Sequence, residues 1–120
     1  MSKKVLVADD SSTMRKIILR SLQAVGVQEA TEAGDGEEAV LLFGQNEFDL
    51  VLTDWNMPKK NGLEVIQDIR KANTDVPIIM VTTEAEKSRV MEAIQAGCSD
   101  YLVKPFTADT LREKLEKFGC

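Results

Sequence analysis

Five residues able to do chemistry each close a short apolar run. "VLVADD" ends on Asp9 and Asp10, "LVLTD" on Asp54, "IIMVT" on Thr82 and "DYLVK" on Lys104. There is no histidine anywhere in the chain, so Ser-His-Asp and Cys-His catalysis are excluded, as are zinc sites built on histidine. Cys98 and Cys120 lack a CxxC spacing and make neither a metal knuckle nor a disulfide framework. Carboxylates, hydroxyls and lysine remain. Three carboxylates brought together would repel one another unless a cation neutralised them. An all-oxygen donor set suits a hard ion such as Mg²⁺. An aspartate can itself attack phosphorus and form an aspartyl phosphate. That transfer depends on positioning and on neutralising the phosphoryl oxygens. Lys104 offers a point charge for this and Thr82 a hydroxyl donor.

Whether these residues meet depends on the elements that carry them. Residues 4–8, 27–33, 48–53, 76–82 and 100–103 read as strands, rich in β-branched residues, with 27–33 an edge strand and Pro77 near a strand start, where its missing donor is tolerated. Between them run amphipathic helical patterns. The first has Ser11 or Ser12 as N-cap, Met14, Ile17, Ile18, Leu22 and Val25 at helical spacing, and Gly26 as stop. The second opens on Asp35 with Glu38 three residues on and turns Ala39, Val40 and Phe43 inward. Asn61 with Glu64 opens the third, with Leu63, Ile66 and Ile69 inward; Thr83 with Glu86 opens the fourth, closed by Gly97; Leu111, Leu115 and Phe118 share a face of the fifth.

Strand and helix thus alternate five times, which implies right-handed crossovers and an α/β fold. The expected architecture is a (βα)5 doubly wound, five-stranded parallel sheet in the order 2-1-3-4-5, flavodoxin-like, with ligands bound beyond the carboxyl ends of the strands where the order reverses. All five residues lie at those ends. Singly, each has an ordinary reading: a helix-dipole partner for the Asp pair, a turn former for Asp54, a strand-end threonine, a solvated lysine. Their convergence favours a site.

With 120 residues and 43% hydrophobic content, the sequence reads as one globular domain spanning 1–120. A net charge of −5 with no basic run argues against nucleic acid. No apolar run approaches the ~20 residues of a membrane span, and the N-terminus lacks a signal-peptide core, so a cytoplasmic, monomeric protein is expected. Trp55 reads as a partly exposed loop aromatic, Lys59 and Lys60 as solvated loop charges, and Cys98 as a small packing residue.

In "ADD" (8–10), "DWNMP" (54–58), "MVTTEA" (80–85), "AGCSDYLVKPF" (96–106) and "TADTLREKL" (107–115) the chain resembles the response-regulator receiver family, and most of all its stand-alone chemotaxis members of the CheY type. The resemblance covers essentially the whole chain. It implies that Asp54 is the phosphoacceptor, that Asp10 ligates Mg²⁺ with Asp9 and Asp54, and that the Asn56 carbonyl is a further ligand. It also implies that Thr82 and Lys104 contact the phosphoryl group, that Tyr101 changes rotamer on activation, and that Lys104-Pro105 is cis. Thr83 departs from the small residue common beside the switch threonine, and Lys59 and Lys60 make the loop after Asp54 unusually basic.

The implied function is a phosphorylation-switched module, not an enzyme. It would take its phosphoryl group from a sensor histidine kinase and bind a flagellar motor switch protein, with a phosphatase as a further partner and no output domain attached. The expected partner surface combines Val90 on the outer side of the fourth helix, Tyr101 and an exposed Lys114. The alternatives are a phosphorelay intermediate, a Mg²⁺-dependent aspartyl-phosphate hydrolase and a flavodoxin-like nucleotide or flavin carrier. Asn56 stands where such a hydrolase wants a second acid, and "DDSSTMR" puts two acids where a nucleotide carrier wants a phosphate loop.

Overall fold

A computed structural model describes residues 3–83 and 88–119. Strands β1 (Lys4–Ala8), β2 (Glu29–Ala33), β3 (Leu50–Asp54), β4 (Ile78–Thr83) and β5 (Asp100–Lys104) alternate with helices α1 (Ser12–Ala24), α2 (Gly36–Gln45), α3 (Gly62–Ala72), α4 (Val90–Ala96) and α5 (Ala108–Lys117). The strands form one sheet in the order β2-β1-β3-β4-β5, and each observed pairing is parallel. This is the expected doubly wound arrangement, with the order reversing between β1 and β3.

Period-2 alternation within the strands builds two cores. Leu6, Val51, Ile78 and Met80 point to the side covered by α2, α3 and α4, where they meet Ala39, Val65, Ile66, Ile69 and Ala93. Val5, Val7, Leu50, Leu52, Ile79, Val81 and Leu102 point to the opposite side and meet Ile18 and Leu22 of α1 and Leu111 and Leu115 of α5. Burial on both faces is why the central strands read as continuous apolar runs.

The capping chemistry is largely as the sequence implies. Ser11 accepts from the Met14 N–H, Thr107 from Thr110, and Asn61 and Glu64 form a reciprocal capping box on α3. On α2, Asp35 accepts from the Glu38 N–H at 2.7 Å, but Glu38 reaches past it to the Gly34 N–H, also at 2.7 Å. Gly26 (φ +97) follows α1 and Gly97 (φ +113) closes α4, both in the left-handed region glycine tolerates.

Three strands start later than expected, among them β3, which begins at Leu50 rather than at residue 48. The Val27 N–H bonds back to the Leu22 carbonyl of α1 at 2.9 Å, so β2 begins at Glu29. The Val76 N–H is taken by the Asn73 side chain, and β4 begins after Pro77. β3, β4 and β5 each run one residue further than expected, so Asp54, Thr83 and Lys104 are strand residues. Glu86, the second half of the expected box on the fourth helix, lies outside the described residues, as do Glu84, Ala85 and Cys120. The described helix α4 starts at Val90, and its N-cap residue Arg89 makes no side-chain capping bond.

Candidate functional site

The carboxyl edge of the sheet gathers the five residues. β1 hands the chain to Asp9 and Asp10, and the neighbouring β3 ends on Asp54, so the two strands flanking the reversal supply all three acids. Their carboxylates each offer an oxygen within 4.8 Å of the others. Asp9 and Asp54 are buried and Asp10 faces solvent. Lys104 comes from the far end of the sheet, at the tip of β5. Its Nζ sits 3.2 Å from Asp9 Oδ2 and 3.5 Å from Asp54 Oδ1. Lys104-Pro105 is cis.

Backbone donors hold the acids in place. The Ser11 N–H donates to Asp9 Oδ1 at 2.9 Å and the Trp55 N–H to Asp54 Oδ1 at 2.8 Å. Thr82 is buried on β4, between the strands carrying Asp54 and Lys104, and its hydroxyl donates to the Thr83 carbonyl at 3.3 Å. Among the described residues, two acids in a buried crevice, one more at its mouth and the Lys104 ammonium between them leave negative charge in excess. The all-oxygen donor set fits Mg²⁺. The ammonium and hydroxyl can serve an anion's oxygens in the same crevice.

Two features of the site escaped the sequence reading. Arg15, on the first turn of α1, donates through Nη1 to the Asp9 carbonyl at 2.6 Å and through Nε to Glu32 at 3.0 Å, fixing the backbone that carries the acid pair. Its place one turn after "DDSS" is a signal that could have revealed it. Gly62 starts α3 against the chain that follows Asp54. A Cβ there would collide with the Asp54 carbonyl oxygen, and its N–H donates to the Trp55 carbonyl at 2.7 Å. Only glycine allows that approach.

Four surface assignments need correction. Trp55 is 7% exposed and belongs to the core under α3, because the chain turns back over it to start that helix. Val90 is also 7% exposed and so turned away from solvent; α4 instead presents Met91 and Ile94, 63% and 45% exposed. The helix carries two apolar i,i+3 pairs, and the smaller one, Val90 with Ala93, is the one that is buried. Lys114 is not a free charge: its Nζ bonds Asp100 Oδ2 at 3.1 Å and lies 5.5 Å from the Tyr101 ring centre. Lys60 is not simply solvated either. It pairs with Asp68 of α3, which raises the Lys60 pKa and lowers that of Asp68. Lys59 is exposed as expected, at φ +70 and 3.8 Å from Asp35.

Tyr101 is half-buried on β5 beside a shallow depression lined by Phe106, Thr110 and Lys114. Below it, Asp100 accepts from the Tyr101 N–H and from Lys114 and Lys117. Burial alone would raise its pKa, but these donors bring it below the ordinary value. Cys98 is the packing residue expected; burial pushes its thiol pKa up, and Sγ lies 3.0 Å from the Asp100 carbonyl. Among the described residues, no helix is long and apolar enough to cross a membrane.

Known proteins share this arrangement. Residues 5–116 match the response regulator receiver domain family. The chain is 51% identical to a chemotaxis protein CheY homolog of Campylobacter jejuni over 116 residues, covering 94% of this chain and 89% of that one. It is 43% identical to the chemotaxis protein CheY of Pseudomonas aeruginosa, covering 95% and 94%. The solved structure of the chemotaxis response regulator CheY4 of Vibrio cholerae superposes with a TM-score of 0.89 at 34% identity, covering 98% of this chain and 99% of that one. The chain belongs to the response regulator receiver domain family, and its relatives include chemotaxis regulators.

Proposed function

We propose that the chain is a response regulator whose Asp54 accepts a phosphoryl group from a histidine kinase and whose phosphorylated form binds a flagellar motor switch protein. The observation that carries this reading is Lys104 Nζ standing between Asp9 and Asp54 in a three-acid crevice. Mg²⁺ held by Asp9, Asp10, Asp54 and the Asn56 carbonyl would neutralise the phosphoryl oxygens. An Asp54 carboxylate oxygen attacks phosphorus. The O–P bond forms as the P–N bond to the kinase imidazole breaks, and the electron pair stays on the ring nitrogen, which takes up a proton. Lys104 then pairs with one phosphoryl oxygen. Thr82 exchanges its bond to the Thr83 carbonyl for another.

The output follows from that exchange. Phosphorylation adds roughly −1.5 to −2 charges at Asp54. Movement of Thr82 toward them frees space beneath α4 that Tyr101 can fill. The partner face is then α4, β5 and α5, with Met91, Ile94 and Tyr101 apolar and Lys114 as the charge that meets an acidic peptide. A tens-fold change in affinity requires only about 2 kcal/mol of differential binding.

The test is labelling by acetyl phosphate. The wild type takes up phosphoryl in the presence of Mg²⁺, Lys104→Ala takes up less, and Asp54→Ala takes up none. Equal labelling of Asp54→Ala overturns the assignment.

A further inference from the structure

Arg89 stands at the N-cap of α4 and makes no side-chain capping hydrogen bond there. Its guanidinium carbon lies 5.3 Å from the centre of the Trp55 ring, and Nη1 donates to Asn56 Oδ1 at 3.1 Å. One side chain from the start of α4 therefore grips the two consecutive residues that follow Asp54. The grip has a flat cation–π contact on one residue and a directed hydrogen bond on the other, a combination the planar guanidinium suits and an ammonium does not.

The receiving end is tied to the acid crevice. The Trp55 N–H donates to Asp54 Oδ1, and the Trp55 carbonyl accepts from the Gly62 N–H that begins α3. Trp55 is buried, so its ring moves only with the loop around it. At the other end, α4 is a seven-residue helix without a side-chain cap of its own.

We propose that Arg89 is a positioning residue that couples loading of the Asp54 crevice to the placement of α4, by a route separate from Thr82 and Tyr101. The proposal rests on the phosphoacceptor reading above. Filling the crevice shifts the Trp55–Asn56 backbone, and Arg89 carries that shift to the first turn of α4. The coupling is reciprocal: a ligand that fixes α4 strengthens the crevice's hold on its charge by the same factor.

The experiment compares hydrogen exchange of the amides of residues 90–96 with and without Mg²⁺ plus beryllium fluoride, a tetrahedral stand-in for phosphoryl. It uses the wild type, Arg89→Ala and Arg89→Lys, and follows loading separately by the rise in thermal midpoint. In the wild type, loading changes α4 exchange by about 5-fold or more, the lower end of ordinary coupling. Arg89→Ala still loads, but its α4 response falls to less than half. Arg89→Lys, which keeps the charge over Trp55 but loses the forked donor, recovers part of it. Because Arg89 is exposed, both variants are expected to fold. A full α4 response in loaded Arg89→Ala, or none in the loaded wild type, overturns the coupling. A wild type with no thermal response to Mg²⁺ and beryllium fluoride overturns the crevice reading itself, a result distinct from the other two.

Discussion

Helices α3 and α4 cover the same face of the sheet but are held there differently. α3 runs for eleven residues, opens with a reciprocal capping box, buries Val65, Ile66 and Ile69, and ends with Arg70 and Lys71 where the dipole favours cations. α4 runs for seven, opens on Arg89 without a side-chain cap and buries only Val90 and Ala93. At roughly 1.5–3 kcal/mol per large buried apolar side chain, α3 is the more firmly anchored by several kcal/mol. Its start is also locked against Asp54 by the Gly62 contact, so the loop that shapes the acid crevice is held by the stronger helix. The weaker helix packs beside α3. An element with few buried contacts is the one that a local change can displace at low cost. The division places rigidity beside the acid crevice and, on the proposed function, leaves freedom where the partner face would change.

The largest expected effect tests that anchoring. Ile66 is fully buried on α3 among Leu6, Val51 and Met80. Ile66→Ala removes three methyl or methylene carbons and leaves a cavity, at a cost of about 2–5 kcal/mol. Urea unfolding should show this loss, together with weaker Mg²⁺ binding, because the Gly62 end of the helix is no longer pressed against Asp54. A loss below about 1 kcal/mol would remove the contrast between the two helices.

What the sequence revealed differs between the same two helices. α3 was legible because Asn61, Glu64, Ile66 and Ile69 agree: cap, box and inward face specify a single phase. α4 was not, because Val90/Ala93 and Met91/Ile94 are both apolar pairs at helical spacing, and periodicity alone cannot rank them. Packing decides, and that is a tertiary fact. Trp55 escaped for a related reason: its burial depends on how the chain turns back at Gly62. The acid crevice was legible because strand ends and strand order place Asp9, Asp10, Asp54, Thr82 and Lys104 without any knowledge of side-chain packing. The partners of Lys60, Lys114 and Arg89 were not, since each bond spans elements whose relative rotation the sequence leaves open.

A smaller effect concerns the pair that ties the loop before α3 to the helix itself. The hydrogen bond that Lys60 Nζ donates to Asp68 Oδ2 lowers the Asp68 pKa below the ordinary value of 3.8 and raises that of Lys60 above 10.5. A carboxylate with a depressed folded pKa contributes stability that is fully present above its unfolded value and lost as pH falls through the folded one; a raised lysine contributes below its unfolded value and loses it as pH rises through the folded one. The pair therefore stabilises between about 3.8 and 10.5. Asp68→Asn should have a slightly lower thermal midpoint than wild type at about pH 6, and the two should converge as the pH falls below 3.8 and through the lowered Asp68 value. Parallel curves across that range would mean that Lys60 does not brace the loop.

The smallest effect on stability belongs to α4 and sharpens the contrast from its other side. Met91 is 63% exposed, on the edge of the helix away from Val90 and Ala93. Truncating an exposed side chain of this kind leaves no cavity and no unpaired polar group, so Met91→Ala should change folding stability by less than about 0.5 kcal/mol. Alanine also has a slightly better helix propensity than methionine, which offsets part of any loss. Asp54 labelling by acetyl phosphate should be unchanged, since Met91 lies outside the acid crevice. Binding of the phosphorylated form to a motor-switch peptide should weaken by several-fold, because an unbranched, polarisable thioether is suited to an adaptable apolar contact. Isothermal titration of Met91→Ala with that peptide, beside urea unfolding of the same sample, separates the two effects. Unchanged binding would move the partner face away from α4. A stability loss comparable to that of Ile66→Ala would show that α4 is packed as tightly as α3, and the difference between the two helices would no longer explain which of them moves.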